Sequence, residues 1–170
     1  MAIEDHSKAD SQAFTIRRAT LEDVETLVRL RYGMQTEEVQ RGDHHGVSPD
    51  DIVDAMREYF RKELSGGHFA AFLVQDGEEI VGTGAIVVFD VPPGRSNPTG
   101  TEGYIMNMYT LPSYRRRGLA SLILRTLIRH GYSEGARRFW LRASEQGRPV
   151  YEHHGFEAPG HYMQKFVWDE

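Results

Sequence analysis

The sequence predicts one α/β (α+β) domain, because segments with the period of a strand alternate with segments with the period of a helix. Asp76-Gly77 predicts a tight hairpin between two of the strand-like segments. The chain has 170 residues, of which 39% are hydrophobic and 26% charged, and this is typical of one globular domain. We expect residues 1–13, which are polar, to form a flexible N-terminal arm and residues 14–170 to form the single domain.

The first half is predicted to contain a strand and two helices. Thr20 and Ser48 are the expected N-caps, because each has an aspartate three residues later and an apolar stripe at helical spacing after that. Proline just inside the second start suits that position. The strand is predicted at Phe14–Arg18, the first helix at Leu21–Glu38, and the second from Ser48 until Ser65-Gly66-Gly67 ends it.

The second half is predicted to be mainly sheet. Two strands flank the hairpin, and a loop rich in proline and glycine, Val91–Thr101, separates them from a fourth strand. Apolar residues from Leu119 to Ile128 then predict a third helix. The remaining predictions are strands at His68–Gln75, Glu79–Asp90, Glu102–Thr110 and Arg137–Arg142, a short helix at Pro149–His154 and a last strand at His161–Trp168.

The turn before the third helix reads Arg115-Arg116-Arg117-Gly118-Leu119-Ala120 and predicts a phosphate site. Gly118 lets the backbone approach a ligand closely, and Ala120 keeps the start of the helix slim. The first N–H groups of a helix have no partner within it and lie at the positive end of its dipole, so they can bind the oxygens of a pyrophosphate. For the arginines alone, a solvated basic loop is the alternative.

Composition narrows the class of function. The chain has no cysteine, which excludes disulfides, thiolate metal ligands and a cysteine nucleophile. A formal net charge of -5 disfavours a nucleic-acid-binding protein. No apolar stretch approaches the roughly 20 residues of a membrane-spanning helix, and the N-terminus lacks the features of a signal peptide. We therefore expect a cytoplasmic protein without nucleic-acid or membrane partners, and no metal site.

These features resemble the GCN5-related N-acetyltransferase (GNAT) superfamily from about Phe14 to Trp168. Residues 115–120 meet its cofactor motif, which is Gln or Arg, two residues, Gly, one residue, and Gly or Ala. Residues 141–156 meet a second signature, a strand followed by a short helix with Tyr and then Gly-Phe. The resemblance implies a mixed, mostly antiparallel sheet of six to seven strands with helices on both faces, in which strands four and five splay apart to admit acetyl-CoA.

The resemblance also implies roles for individual residues. The main chain of residues 108–110 is expected to bind the pantetheine arm, and the N–H groups from Arg117 to Ser121 the pyrophosphate. The arginine side chains are expected to reach the outer phosphate, although Arg115 could instead brace the loop. Tyr151 matches the tyrosine that protonates the departing sulfur; its alternative is a half-buried aromatic that caps a helix. The expected acetyl-CoA contacts are Met108, Tyr109, Thr110, Arg115, Arg116, Arg117, Gly118, Leu119, Ala120, Ser121 and Ser144.

Three positions leave questions open. Ser144 stands where the family often has an asparagine that bonds the cofactor arm, so that contact is kept, made through water or lost. Where many relatives carry a glutamate base, the fourth strand has Asn107, which can orient an amine or a water but cannot accept a proton. Glu102 could act as the base through a water chain, or it could be a solvated carboxylate at the end of the strand. Tyr151, Asn107 and Glu102 are thus the candidate catalytic residues.

The expected function is transfer of an acetyl group from acetyl-CoA directly to a primary amine of a small molecule or peptide. The alternatives are a transferase of another acyl group and a sensor or interaction module that binds acetyl-CoA without turnover. Glu37, Glu38 and Asp43 could line a pocket for a cationic acceptor or could face solvent. The resemblance leaves a homodimer open, and the sequence does not identify the acceptor.

Overall fold

The computed structural model describes residues 14–40, 48–158, 160 and 163. Every helix and strand predicted within these ranges is confirmed. The predicted N-terminal arm lies outside them, as does the predicted last strand apart from Met163. The described elements are β1 (Thr15–Arg18), α1 (Val24–Gln40), α2 (Val53–Gly66), β2 (Phe69–Asp76), β3 (Glu79–Asp90), β4 (Thr101–Thr110), α3 (Leu119–Ser133), β5 (Arg138–Leu141) and α4 (Arg148–His153).

The first two helices begin at the predicted caps, each through a short 3-10 turn. The Thr20 N–H donates to Asp23 Oδ2 at 2.8 Å, and Thr20 Oγ1 accepts from the Glu22 N–H at 3.3 Å. Ser48 and Asp51 make the same reciprocal pair of bonds before α2. These capping boxes satisfy N–H groups that a helix start otherwise leaves without partners.

The sheet has the order β1-β2-β3-β4-β5, and only the β4–β5 pair is parallel. Alternate residues of β2 point to opposite faces. Ala70 and Val74 pack in a core with α3, whereas Ala71 and Leu73 pack in a second core with α1 and α2. A mixed, mostly antiparallel sheet with helices on both faces is thus confirmed, with five strands in the part of the chain that the structure describes.

A bulge interrupts β4 at its centre. Two residues of β4, Asn107 and Met108, lie opposite Gly84 alone. Asn107 has a φ of 55°, which is left-handed backbone that few residues other than glycine adopt. A Cβ on Gly84 of β3 would lie 2.4 Å from Cγ2 of Ile123, so α3 packs directly on β3 at this point. Bulges redirect side chains at the edge of functional sites, and this one redirects Asn107.

Strands β4 and β5 separate halfway along β4. They pair only over Glu102–Ile105 and Arg138–Leu141, while β4 continues to Thr110. The predicted divergence of the fourth and fifth strands is therefore confirmed. Beyond Ile105 this edge of β4 has no strand beside it among the described residues, so its main-chain groups need other partners.

Candidate active site

A cleft of about 1190 Å³ opens where β4 and β5 separate. Helix α1 and the second half of β4 form part of its lining, and the start of α3 and the segment from Arg142 to Tyr151 form the rest. Asn107, Tyr151 and every predicted acetyl-CoA contact except Arg117 lie in this lining. Four separate parts of the chain therefore meet at one site large enough for an extended ligand.

The start of α3 presents free main-chain donors to the cleft. Gly118 is the N-cap residue of α3 and has a φ of 80°, and no side chain caps the helix there. The first bond of the helix runs from the Leu122 N–H to the Gly118 carbonyl at 3.1 Å. The N–H groups of residues 119–121 find no acceptor within the described chain, and a Cβ on Gly118 would meet no atom within 4 Å. This open turn can hold an anion by its amides.

Arg115 braces the loop. Its Nη2 lies 2.7 Å from Glu37 Oε2, and its Nε donates to the Thr110 carbonyl at 3.0 Å. The Tyr109 hydroxyl donates to Glu37 Oε1 at 2.7 Å. Burial, together with this bond to Glu37, raises the pKa of Tyr109 to about 12. These contacts are those of a brace, and a contact of Arg115 with the outer phosphate stays a prediction.

The other two arginines differ in placement. Arg116 has a φ of 62° and lines the cleft. Arg117 instead donates to the Ser113 carbonyl at 3.2 Å, and its guanidinium lies 4.9 Å from the centre of the Tyr114 ring. The Arg117 side chain is thus held against Ser113 and Tyr114 and does not line the cleft, and the predicted contact of the Arg117 N–H with the pyrophosphate stays a prediction.

Tyr151, on α4, lies at the cleft with its ring buried and 9% of its surface exposed. Burial raises the pKa of its hydroxyl, because desolvation disfavours the phenolate. No described residue hydrogen bonds to this hydroxyl, so it caps none of the described helices. Tyr151 therefore presents a protonated oxygen that is free to donate at neutral pH.

Ser144 lies beside Tyr151. Its Oγ accepts the Gly147 N–H at 3.1 Å, which shapes the turn before α4. A Cβ on Gly147 would lie 2.9 Å from the Tyr151 ring and 3.2 Å from Ser144 Oγ. The Ser144 oxygen is thus engaged in the turn, and its O–H remains as a donor toward the cleft.

Glu102 does not lie at the cleft. It is 7% exposed and pairs with Arg138, whose Nη1 lies 3.2 Å from Glu102 Oε1. The expectation of a solvated carboxylate is wrong, because the parallel pairing of β4 with β5 covers this end of the strand. A buried carboxylate needs such a partner. Its position outside the lining gives no support to a water chain from Glu102 to an acceptor.

Besides Glu37, helix α1 contributes three polar residues to the cleft, and of these only Glu38 was among the predicted candidates. Arg31 is half-buried and its Nη1 donates to Oδ1 of Asn107. Burial lowers the pKa of the Arg31 guanidinium. Gln35 and Glu38 lie one and two turns further along the same face and also line the cleft. The spacing of Arg31, Gln35 and Glu38 at i, i+4 and i+7 is the sequence signal that places them on one face of a helix, but it does not show that this face lines a cleft.

The groups around the cleft suit an organic anion. They are main-chain amides, arginine guanidinium groups and a tyrosine hydroxyl. The described residues contain no cluster of three or more histidine, aspartate or glutamate side chains that could hold a metal ion. None of the described helices is long and apolar enough to cross a membrane.

An opened sheet edge beside an uncapped helix start, with a free tyrosine hydroxyl in the same cleft, is the arrangement that the resemblance to the GNAT superfamily implies for acetyl-CoA. A sequence profile described as the acetyltransferase (GNAT) family matches residues 34–156. The chain therefore belongs to the GNAT family of acetyltransferases. Family membership makes it an acyltransferase and confirms the resemblance and the fold predicted from the sequence.

Individual relatives agree with this membership. The uncharacterized N-acetyltransferase YjgM of Escherichia coli K12 is 27% identical over 152 residues, or 86% of this chain and 83% of that protein. The uncharacterized N-acetyltransferase YedL of the same organism is 32% identical over 88 residues, or 49% of this chain and only 50% of that protein. A crystal structure of a predicted acetyltransferase with acetyl-CoA from Clostridium acetobutylicum is 29% identical, with a TM-score of 0.80 and coverage of 91% of this chain and 96% of that one.

Proposed function

We propose that this protein transfers an acetyl group from acetyl-CoA directly to a primary amine of a small molecule or peptide. One observation carries the proposal: the unpaired edge of β4, the uncapped start of α3 and the free Tyr151 hydroxyl face one cleft. The amides at the start of α3 and the Tyr151 hydroxyl have no partner among the described residues, and no described strand lies beside this edge of β4. Each of the three matches a different part of a thioester carrier. The Clostridium structure, whose description includes acetyl-CoA, supports this choice of donor.

The donor would be held mainly by the main chain. The amides of residues 119–121 suit the pyrophosphate, because they are free and lie at the positive end of α3. The edge of β4 from Met108 to Thr110 suits the amides of a pantetheine arm, which would replace the missing strand. Bound in this way, acetyl-CoA supplies an activated carbonyl at the bulge of β4.

The chemistry requires a bond from the amine nitrogen to the carbonyl carbon and cleavage of the carbon–sulfur bond. The proton that the amine loses goes to water or a carboxylate, and the Tyr151 hydroxyl protonates the departing thiolate. The products are then an N-acetyl amine and free CoA. Tyr151 suits this task because its hydroxyl keeps its proton at neutral pH and has no partner among the described side chains.

The proton of the amine needs an acceptor at the cleft. Asn107 cannot take a proton, and Glu102 lies outside the cleft. Glu37 lines the cleft, but its carboxylate already binds Arg115 and Tyr109. Glu38 also lines the cleft, and no described residue hydrogen bonds to its carboxylate. Glu38, directly or through water, is therefore the carboxylate that we propose for this role.

The test is release of free CoA thiol from acetyl-CoA in the presence of a panel of primary amines. Thiol release that depends on an amine, with the N-acetyl product identified by mass spectrometry, is the expected result. Thermal stabilisation by acetyl-CoA without release from any amine would favour the sensor. Release that is faster from another acyl-CoA would favour the alternative acyl group.

Two further expectations belong to this proposal. We propose a cytoplasmic location and no nucleic-acid or membrane partner, as the composition indicates. We also propose that the chain can form a homodimer, which the resemblance leaves open. Fractionation of expressing cells and light scattering of the purified chain would test the location and the dimer, respectively.

A further inference from the structure

The part of the cleft that α1 lines contains a cation, Arg31, without an anionic partner among the described residues. The only hydrogen bond of Arg31 within the described residues is to the neutral amide oxygen of Asn107. No carboxylate lies within ion-pair distance of Arg31 there, although Glu38 acts on its charge from further away. A half-buried guanidinium loses hydration, and an anionic ligand would compensate for this loss.

A second group on the same helix face also lacks a partner. Oε1 of Gln35 is buried and accepts no hydrogen bond within the described chain. Gln35 stands four residues after Arg31, so the two side chains are neighbours on α1 and both line the cleft. An unsatisfied buried acceptor requires a donor, such as the N–H of an amine. An unpaired cation thus lies beside an unpaired acceptor.

The described acids that could have attracted a purely cationic acceptor, Glu37 and Glu38, do not form an acidic pocket by themselves. Glu37 is neutralised by Arg115 at 2.7 Å and also accepts from Tyr109. Asp43 lies outside the described residues. Among the described residues, Glu38 is the remaining acid at the cleft, and it acts on the charge of Arg31. This side of the cleft therefore presents both signs of charge and complements a zwitterion better than a polyamine.

We infer that the acceptor carries a carboxylate close to its amino group, as an α-amino acid does, and that Arg31 binds the carboxylate while Gln35 accepts an N–H from the amine. The carboxylate and the amino group must lie close together because Arg31 donates a hydrogen bond to Asn107, which directly precedes Met108 on the open edge of β4. A carboxylate held at Arg31 is then near the acetyl group, so only a short spacer brings the nitrogen to the carbonyl. The inference rests on the proposed function.

Matched pairs of acceptors test this inference. Each pair is an amino acid and the amine that lacks only its carboxylate: L-phenylalanine with 2-phenylethylamine, and L-methionine with 3-(methylthio)propylamine. The kcat/KM ratio within each pair is measured for the wild type, for Arg31→Met and for Arg29→Met. Arg29 lies exposed on the same helix and away from the cleft, so it is the matched control. Comparing ratios between variants cancels the different amine pKa values within a pair.

We expect Arg31→Met to lower the ratio of amino acid to amine on the order of 100-fold, because it leaves the carboxylate unpaired. The Arg29→Met ratio should equal that of the wild type. Arg31→Lys, which keeps the charge, should restore part of the preference and covers the case in which the methionine variant does not fold. The KM for acetyl-CoA should be unchanged in all three variants.

The outcomes separate this inference from the proposed function. Thiol release with no preference for the amino acids would overturn the inference and leave the proposed function standing. An Arg31→Met variant that loses activity equally on both members of a pair would show a purely structural role and also overturn it. An absence of release with every amine would overturn both. A preference for O-phosphoethanolamine over glycine would assign the site to phosphate and reject the carboxylate.

Discussion

The two sides of the cleft recognise ligands by different means. On the side of α3, the groups available to a ligand are mainly consecutive main-chain amides, together with Arg116 and the hydroxyl groups of Ser144 and Tyr151. On the side of α1, they are the side chains of Arg31, Gln35 and Glu38, and the first of these depends on a contact with β4. The main-chain side suits a ligand common to a whole family, whereas the side-chain side can be changed one residue at a time.

This difference determines what a sequence can reveal. A turn that binds by its amides needs glycine and small residues at fixed spacing, and this spacing forms a motif. A pocket built from side chains needs only that they converge in space. If the two sides act separately, a change on one side should leave binding on the other side unaffected.

Replacement of Tyr151 by phenylalanine should remove the proton donor without disturbing either binding side. We expect kcat to fall by about 10²- to 10⁴-fold with little change in KM for acetyl-CoA or amine, because general acid catalysis contributes this much. Steady-state kinetics with both substrates varied provides the measurement. Tyr132→Phe is the control, since Tyr132 is 59% exposed. A loss of less than about threefold would exclude Tyr151 as the donor.

The pH profile sharpens the same prediction. Burial raises the pKa of the Tyr151 hydroxyl, so the donor form persists at least to the ordinary phenol value of about 10. The wild-type kcat should therefore not decline between neutral pH and about pH 10 through loss of this proton. A decline that sets in near neutral pH and disappears in the phenylalanine variant would contradict the assigned protonation state.

Gly118→Ala tests the main-chain side. At a φ of 80° the new Cβ strains the backbone, and it points into open space that a bound pyrophosphate would occupy. We expect the KM for acetyl-CoA to rise by about 10- to 100-fold, the cost of weakening one or two charged hydrogen bonds. Binding by isothermal titration checks this.

Gly67→Ala separates strain from lost binding. Gly67 has a φ of 85° and also has no atom within 4 Å of its Cβ position, but it ends α2 and does not line the candidate cleft. Both variants should lose similar thermal stability, and only Gly118→Ala should lose affinity. Equal KM values in the two variants would mean that the turn at Gly118 does not bind the donor.

The same contrast explains which parts of the molecule were predictable. The caps at Thr20 and Ser48 and the turn at Gly118 act over three or four residues, so their residue types alone identify them. The contact between Arg31 and Asn107 spans 76 residues and depends on the bulge in β4, which shifts the pairing with β3. The burial of Glu102 likewise depends on a parallel strand that arrives 36 residues later. Register of this kind is not encoded in local spacing.

Glu37→Gln tests whether the two sides are coupled, because Glu37 lies on α1 yet binds the brace Arg115 of the donor loop. The amide keeps an acceptor for Arg115 and Tyr109 but loses the charge. We expect the KM for acetyl-CoA to rise by about tenfold or less, since both partners of this ion pair are partly exposed. Kinetics with acetyl-CoA varied at saturating amine gives the value.

Glu25→Gln is the matched control, because Glu25 is also on α1 and pairs with an arginine, Arg57, at 2.6 Å. This pair lies away from the cleft, so the variant should show wild-type kinetics. A Glu37→Gln variant that changes only the KM for the amine would instead assign Glu37 to acceptor binding, and the brace would then have no role in holding the donor.

Gly147→Ala should produce the smallest effect, because it moves the donor without removing it. The new Cβ would lie 2.9 Å from the Tyr151 ring, so the ring must shift by a few tenths of an ångström, and its hydroxyl moves with it. We expect kcat to fall by about two- to fivefold with unchanged KM values, since a displacement of about 1 Å can cost a hundredfold. Gly66→Ala, which meets no atom within 4 Å, should leave kcat unchanged. If Gly147→Ala raised the KM for acetyl-CoA and spared kcat, the turn before α4 would belong to donor binding, and the position of the hydroxyl would not limit the reaction.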